Sequence, residues 1–262
     1  MTAFKIDPLK LCAILFVLFF SCAANAHYPV LIGDRSPDMG QRGGIINLTY
    51  GLGELYEDVF VDARKPDWVR GYMFDGGTFE LTDELKKNGN VYNIKYRSRR
   101  VGDTWIVAHV PMTWSKHDNT FTETTVRTII HQGLSKGWET PLGLPLELVP
   151  LNQPYSLLPG DSFRVETLYK NEPLQNAIIY AEKYYSPGLK KPYPTEAVLT
   201  RTVRADRNGI ANINLHSAGW WVLFVLHELD EMTKDDKSGI ATLQDAIWVY
   251  VNEMPEQFKQ KD

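Results

Sequence analysis

The chain has 262 residues, with 28 Lys and Arg against 32 Asp and Glu, a formal net charge of −4. That balance carries no basic stripe and argues against a nucleic-acid partner, while the length suits one large or two medium domains. Aromatic residues make up 12% of the chain, and with many β-branched runs this composition favours sheet over helix.

Residues 1–26 read as a signal peptide. Lys5 and Lys10 form a positive start, and Leu11 to Phe20 is an apolar run too short to span a bilayer. Ala24-Asn25-Ala26 is a small-x-small cleavage signal that would leave His27 as the new N-terminus. A lipoprotein signal cut ahead of Cys22 is the competing reading, although Phe19 stands where Leu is usual. Cys12 and Cys22 both lie in this segment, so the exported chain would have no thiol. Its core must form without disulfides, and any metal site must use nitrogen and oxygen ligands. Loss of two Lys and one Asp leaves 26 basic and 31 acidic residues, a net charge of −5. No later stretch approaches membrane length, so the processed chain is not expected to span a bilayer.

The region after the signal divides into two expected β-sandwich domains, 27–138 and 139–262. In the first, Ile45 to Tyr50 reads as a strand broken by Gly51-Leu52-Gly53. Val91 to Tyr96 alternates after a Lys87-Asn88-Gly89-Asn90 turn, as in a hairpin. Trp105 to Val110 and Thr122 to His131 are further strands, and Asp83 to Lys86 is the one helix-like piece.

Residues 141–169 are the expected junction. Pro141, Pro145, Pro150 and Pro154 keep this run out of a helix or a central strand. Leu144, Leu146, Leu148 and Leu151 make it apolar, so it should pack as extended backbone between the two units. Beyond it, Ser162 to Tyr169, Ala177 to Glu182, Val198 to Val203, Ala211 to Leu215, Trp220 to His227 and Ala246 to Val251 read as strands. Asn171-Glu172-Pro173 and Asp206-Arg207-Asn208-Gly209 read as turns. About seven short strands at this spacing fit an immunoglobulin-like sandwich.

Several of these steps occur in a recognisable order. A signal peptide ends before an N-terminal His, and Pro145 to Pro150 is followed by Pro159-Gly160-Asp161 opening a strand. Leu174 and Ala177 then precede Asp206-x-x-Gly209-x-Ala211, and Gly219-Trp220-Trp221 leads a strand ending His227-Glu228. The chain resembles an exported bacterial domain family of poorly defined function associated with nickel and cobalt uptake, some members of which are described as periplasmic components of nickel transport systems. The resemblance is dense over 140–252 and thinner over 27–138. It implies β-sandwich domains, a periplasmic location and binding of Ni²⁺ or Co²⁺ as cargo for membrane transporter components, and it does not imply an enzyme.

All six histidines follow the signal. His27 would offer an imidazole and a free α-amine on one residue, a chelating pair for Ni²⁺, Co²⁺ or Cu²⁺. The bland reading is a frayed end. His109 and His131 lie on strands and His227 ends one, and strand ends of a sandwich converge at its rim. The expected metal site is therefore His27, His109, His131 and His227, of which only His27 comes from the resemblance. The competing account of each is a hydrogen-bonded structural residue. His117 is read as exposed in a polar loop and His216 as structural.

Glu228, Asp230, Glu231, Asp235 and Asp236 read as an acidic loop that could attract cations, or as an ordinary solvated one. Asp206 to Gly209 lacks the further ligands of a calcium loop. There is no Gly-x-Ser-x-Gly elbow and no phosphate-binding loop. The alternative to metal delivery is a non-catalytic cell-envelope module that binds protein or glycan without metal, using aromatics such as Tyr184, Tyr185 and Tyr193.

Overall fold

The computed structural model describes residues 27–38, 44–98, 100–116, 119–189, 191, 200–255 and 257. The signal-peptide reading, both cysteines, His117 and Tyr193 lie outside them. In chain order the strands are β1 (Tyr28–Gly33), β2 (Ile45–Glu54), β3 (Val59–Val61), β4 (Trp68–Met73), β5 (Thr78–Glu80), β6 (Lys86–Asn88), β7 (Val91–Arg97), β8 (Gly102–Ser115) and β9 (Thr120–Gln132). They continue as β10 (Leu146–Pro150), β11 (Asp161–Tyr169), β12 (Glu172–Pro173), β13 (Ile178–Lys183), β14 (Arg201–Arg204), β15 (Ile210–Leu215), β16 (Gly219–Lys234) and β17 (Lys237–Val251). The helix-like piece is a single 3-10 turn, Thr82–Glu84. The expected all-β sandwich class is the one observed.

Three sheets form. The central one has eight strands in the order β14-β13-β16-β17-β9-β8-β4-β5. A five-stranded sheet, β1-β2-β7-β6 with β3 on β2, and a four-stranded sheet, β10-β11-β12 with β15 on β11, complete the set. The boundary expected at 138 falls between β9 and β10, and the central sheet runs across it. β17 pairs in parallel with β9, matching Ala241–Trp248 to Phe121–Thr128.

Side-chain alternation explains the layering. Successive residues of a strand point to opposite faces. Trp220, Val222 and Phe224 join one core with Val30, Leu31 and Leu48 of the five-stranded sheet. Trp221, Leu223 and Val225 join the other core with Phe163, Val165 and Ile213 of the four-stranded sheet. β17 divides the same way, with Ala246 and Trp248 on one side and Ile247 and Val249 on the other. A strand covered on both faces needs apolar residues at every position, which is why 220–226 and 246–251 are unbroken apolar runs. The two cores are thus the two faces of one sheet.

Local chemistry explains where strands depart from expectation. Gly51 and Gly53 do not break β2. A Cβ on Gly51 would lie 2.9 Å from the Phe60 ring, and one on Gly53 2.7 Å from the Val59 carbonyl, so both glycines admit the close approach of β3. The turn expected at Asn171 to Pro173 sits one residue earlier. Lys170 and Asn171 take positive φ, and Glu172 and Pro173 already pair back onto β11. At Asp206 to Gly209 the turn is as expected, with Gly209 at φ +75° and Asp206 Oδ1 accepting from the amides of Asn208 and Ile210.

The proline-rich run becomes a short, fully buried strand, β10, on the edge of its sheet. It is fastened by charges that its sequence alone does not announce. Arg127 on β9 is 1% exposed and donates to Glu147 Oε1 at 2.8 Å, to Asp245 Oδ2 at 2.9 Å and to the Leu148 carbonyl at 2.5 Å. The Glu147 carboxylate also accepts from the amides of Leu142, Gly143 and Leu144, and Asp245 accepts from the Leu148 amide. Burial pushes the Asp245 carboxyl up to about 6 despite the adjacent guanidinium. Removing the single cation leaves two buried carboxylates facing each other, a change that typically costs about 3–5 kcal/mol. Arg127→Met is therefore expected to lower unfolding stability by roughly that amount, read as a lower urea midpoint at unchanged slope. A loss under about 1 kcal/mol would show that the triad does not hold β10 in place.

Candidate functional site

The four histidines expected to converge do not. His109 and His131 lie on paired strands but at distant points. His109 stands opposite Thr125, six residues before His131 along β9, a separation of about 20 Å at the rise of a strand. His227 is on β16, three strand spacings from β8, or about 14 Å. His27 precedes β1 on a different sheet. Among the described residues no group of three or more His, Cys, Asp or Glu is placed to hold a metal ion.

Each histidine has its own surroundings instead. His109 Nε2 lies 3.2 Å from Glu123, and its ring stacks on Trp68 at 4.9 Å, while its Nδ1 is buried without a hydrogen-bond partner. His131 Nδ1 lies 2.7 Å from Asp103, which is 1% exposed, and its ring stacks on Tyr155 at 4.1 Å. The Tyr155 hydroxyl donates to the other Asp103 oxygen at 3.2 Å and lies 2.7 Å from the Ser135 hydroxyl. Burial raises both the Asp103 carboxyl and the Tyr155 phenol. This network closes on itself and ties β8, β9 and the segment after β10 together. His227 packs on Tyr169 at 4.4 Å, and His216 contacts Arg201 at 3.1 Å and Trp221 edge-on. The structural reading fits His109, His131, His216 and His227.

His27 is different because it sits at the start of the described chain beside one carboxylate. The β1–β2 register matches Tyr28 to Gly53, which sets His27 against Glu54. His27 Nε2 is 3.5 Å from Glu54 Oε1, and the two side chains are 24% and 19% exposed. The other acids nearby in sequence are engaged, Glu57 by Lys191 at 2.6 Å and Asp58 by the Tyr184 hydroxyl. After cleavage before His27, the α-amine and Nδ1 would be two nitrogen donors of the kind nickel and cobalt accept, with Glu54 held against the other ring nitrogen. Sequence reading missed Glu54 because its approach to His27 depends on strand register.

The expected acidic loop is not a loop. Glu228, Asp230 and Glu231 continue β16, and Asp235 and Asp236 form a hairpin turn with φ of 49° and 59°. The aromatics of the alternative reading are also placed otherwise. Tyr185 is buried against Tyr56, and Tyr184 is hydrogen-bonded to Asp58 and packs on Phe60.

Residues 24–229 match the family described as a domain of unknown function, DUF4198, and the chain belongs to it. No curated protein matches the chain in sequence. Solved structures with a similar course include Escherichia coli α2-macroglobulin activated by porcine elastase, at 14% identity over 86% of this chain and a TM-score of 0.24. The chain spans only 20% of that protein's length. The D0-D1 domain of intimin matches at 10% identity over 85% of this chain and 98% of that one, with a TM-score of 0.23. Yersinia pseudotuberculosis adhesin InvE matches at 11% identity over 85% of this chain and 61% of that one, with a TM-score of 0.24. No helix among the described residues is long and apolar enough to cross a membrane.

Two of the structural histidines carry a testable signature. Burial, aided by Arg201 and Lys183, lowers the pKa of His216, and burial, aided by Lys170, lowers that of His227. Their folded states therefore bind fewer protons than the unfolded chain just below the free-histidine value of about 6.5. Stability from these two groups is full above that value and falls as the pH drops through it. Histidine-ring NMR titration is expected to show both midpoints below 6.5. Midpoints above it would contradict the burial argument.

Proposed function

We propose that the chain is an exported, non-enzymatic binding protein for a divalent transition-metal cation, nickel or cobalt, held at the start of the processed chain and passed to a membrane uptake system. The observation that carries this reading is the 3.5 Å approach of His27 Nε2 to Glu54 on the neighbouring strand. In a chain cut before His27 the α-amine and the ring Nδ1 would chelate the cation, and Glu54 against Nε2 would orient the ring and raise its basicity. These ligand types suit Ni²⁺ and Co²⁺ and need no thiolate. Two protein donors leave coordination positions open for water or for a receiving protein, as a carrier that must release its cargo requires. The resemblance to nickel-uptake proteins supports the same reading. His109, His131 and His227 have no part in it.

A second reading is a cell-envelope module that binds protein or glycan without metal. It is favoured by the outer part of the β16–β17 hairpin, where exposed Leu226 and Ile240 accompany Glu228, Asp230, Glu231, Asp235 and Asp236.

Calorimetric titration of the protein beginning at His27 with Ni²⁺, Co²⁺, Zn²⁺ and Cu²⁺ separates the two readings. One equivalent of Ni²⁺ or Co²⁺ is expected to bind. Affinity is expected to fall at least about tenfold, or 1.4 kcal/mol, in His27→Ala, in Glu54→Gln and when one residue is kept ahead of His27. Absence of binding, or binding indifferent to all three changes, would overturn the metal reading and leave the second.

A further inference from the structure

A cleft of about 390 Å³ lies away from His27, where the edge of the central sheet meets the five-stranded sheet. Its apolar part is built by Met73 on β4, Phe79 on β5, Leu81 and Tyr96 on β7. The floor is preformed. Gly71 on β4 stands opposite Phe79, and a Cβ at Gly71 would lie 2.0 Å from the Phe79 ring, so the glycine lets that ring lie flat on the strand. The Phe79 ring then stacks on Tyr96 at 5.6 Å and 10°. The Tyr96 hydroxyl lies near the Thr104 and Ser98 side chains, and the ring itself is 7% exposed.

The charged part is one-sided. Lys95, Arg97 and Arg100 line the cleft, against Glu84 alone. Arg100 is shared with Asp75 at 3.3 Å, an exposed pair weak enough to rearrange. β6 pairs with β7 only over Val91–Asn93, so the edge of β7 beyond it is open to the cleft: Tyr96 points inward beneath it, and Lys95 and Arg97, on the opposite face of the strand, border it at the rim. This concentration of cations occurs in a chain whose formal net charge is −4. An excess of positive charge over a flat aromatic floor selects a ligand with an apolar body and an anionic head.

We propose that this cleft binds a small amphipathic organic anion, an aromatic or aliphatic carboxylate or sulfonate, with its apolar body on Phe79 and Tyr96 and its charge toward Arg97 and Arg100. The site is separate from the His27 corner and does not depend on metal binding there.

The test uses 1-anilinonaphthalene-8-sulfonate as an anionic probe and N-phenyl-1-naphthylamine as its neutral counterpart, titrated against the protein by fluorescence. The variants are Arg97→Glu and Arg100→Glu, both at exposed positions, so folding is retained and is checked by circular dichroism. The anionic probe is expected to bind at one site and to lose at least about tenfold in affinity in the double variant, while the neutral probe is unchanged. The anionic affinity should also fall as salt is raised, since the cations are exposed. Failure of the anionic probe to bind would overturn the proposal. So would equal binding by wild type and double variant, which would mark a merely apolar patch, and so would parallel losses of both probes.

Discussion

The structure depends on one sheet being buried on both faces. β16 and β17 are apolar at consecutive positions along their inner halves, and alternation sends each neighbouring pair of side chains into different cores. The parallel pairing of β17 with β9 closes this arrangement, since it makes the last long strand of the chain a neighbour of a strand more than a hundred residues earlier. Trp248 shows the coupling in a single residue: it is fully buried in one core, and its indole N–H donates to the Pro29 carbonyl of β1 at 2.9 Å.

The chain must cross from the central sheet to the third sheet between β9 and β10, and it does so through a proline-rich segment with few amide donors to spare. Arg127 solves the resulting problem of unsatisfied backbone. It orients Glu147, whose carboxylate takes three successive amides of the crossing, and it holds Asp245, which takes a fourth. Buried charge is costly on its own, and here hydrogen bonds to the backbone offset it. The cluster fixes where β10 lies, and from β10 the register of β11 and β15 follows.

The histidines are engaged locally rather than with one another, with Nδ1 of His109 left buried and unpartnered. His109 and His131 each have a carboxylate at one ring nitrogen and an aromatic ring against one face. Such surroundings hold strands in register and leave the donors dispersed over different sheets and strand ends. The two places proposed for ligand chemistry lie at the margins: the His27–Glu54 corner on the first sheet, and the cationic cleft at the far edge of the central one. Both lie where a strand ends or loses its neighbour.

The sequence by itself determined the element types and most of their positions. Alternation marked β7 and β15, apolar and β-branched runs marked β8 and β9, turn residues marked the hairpin at Gly89 and the turn at Gly209, and prolines kept 141–154 at a sheet edge. Those features are local, set by the pleat and by allowed φ. β1, β3, β4, β5 and β6 went unread because they are short, and Tyr28 to Gly33 is apolar without alternation, as a strand with no solvent face must be. Tertiary structure alone decided that the two halves share one sheet, that Arg127 meets Glu147 and Asp245, that Glu54 rather than another histidine stands beside His27, and that Lys95, Arg97 and Arg100 gather at one cleft. Each of these is a contact between residues on different strands, fixed by pairing and register, and pairing leaves no period or spacing in the chain from which it could be read.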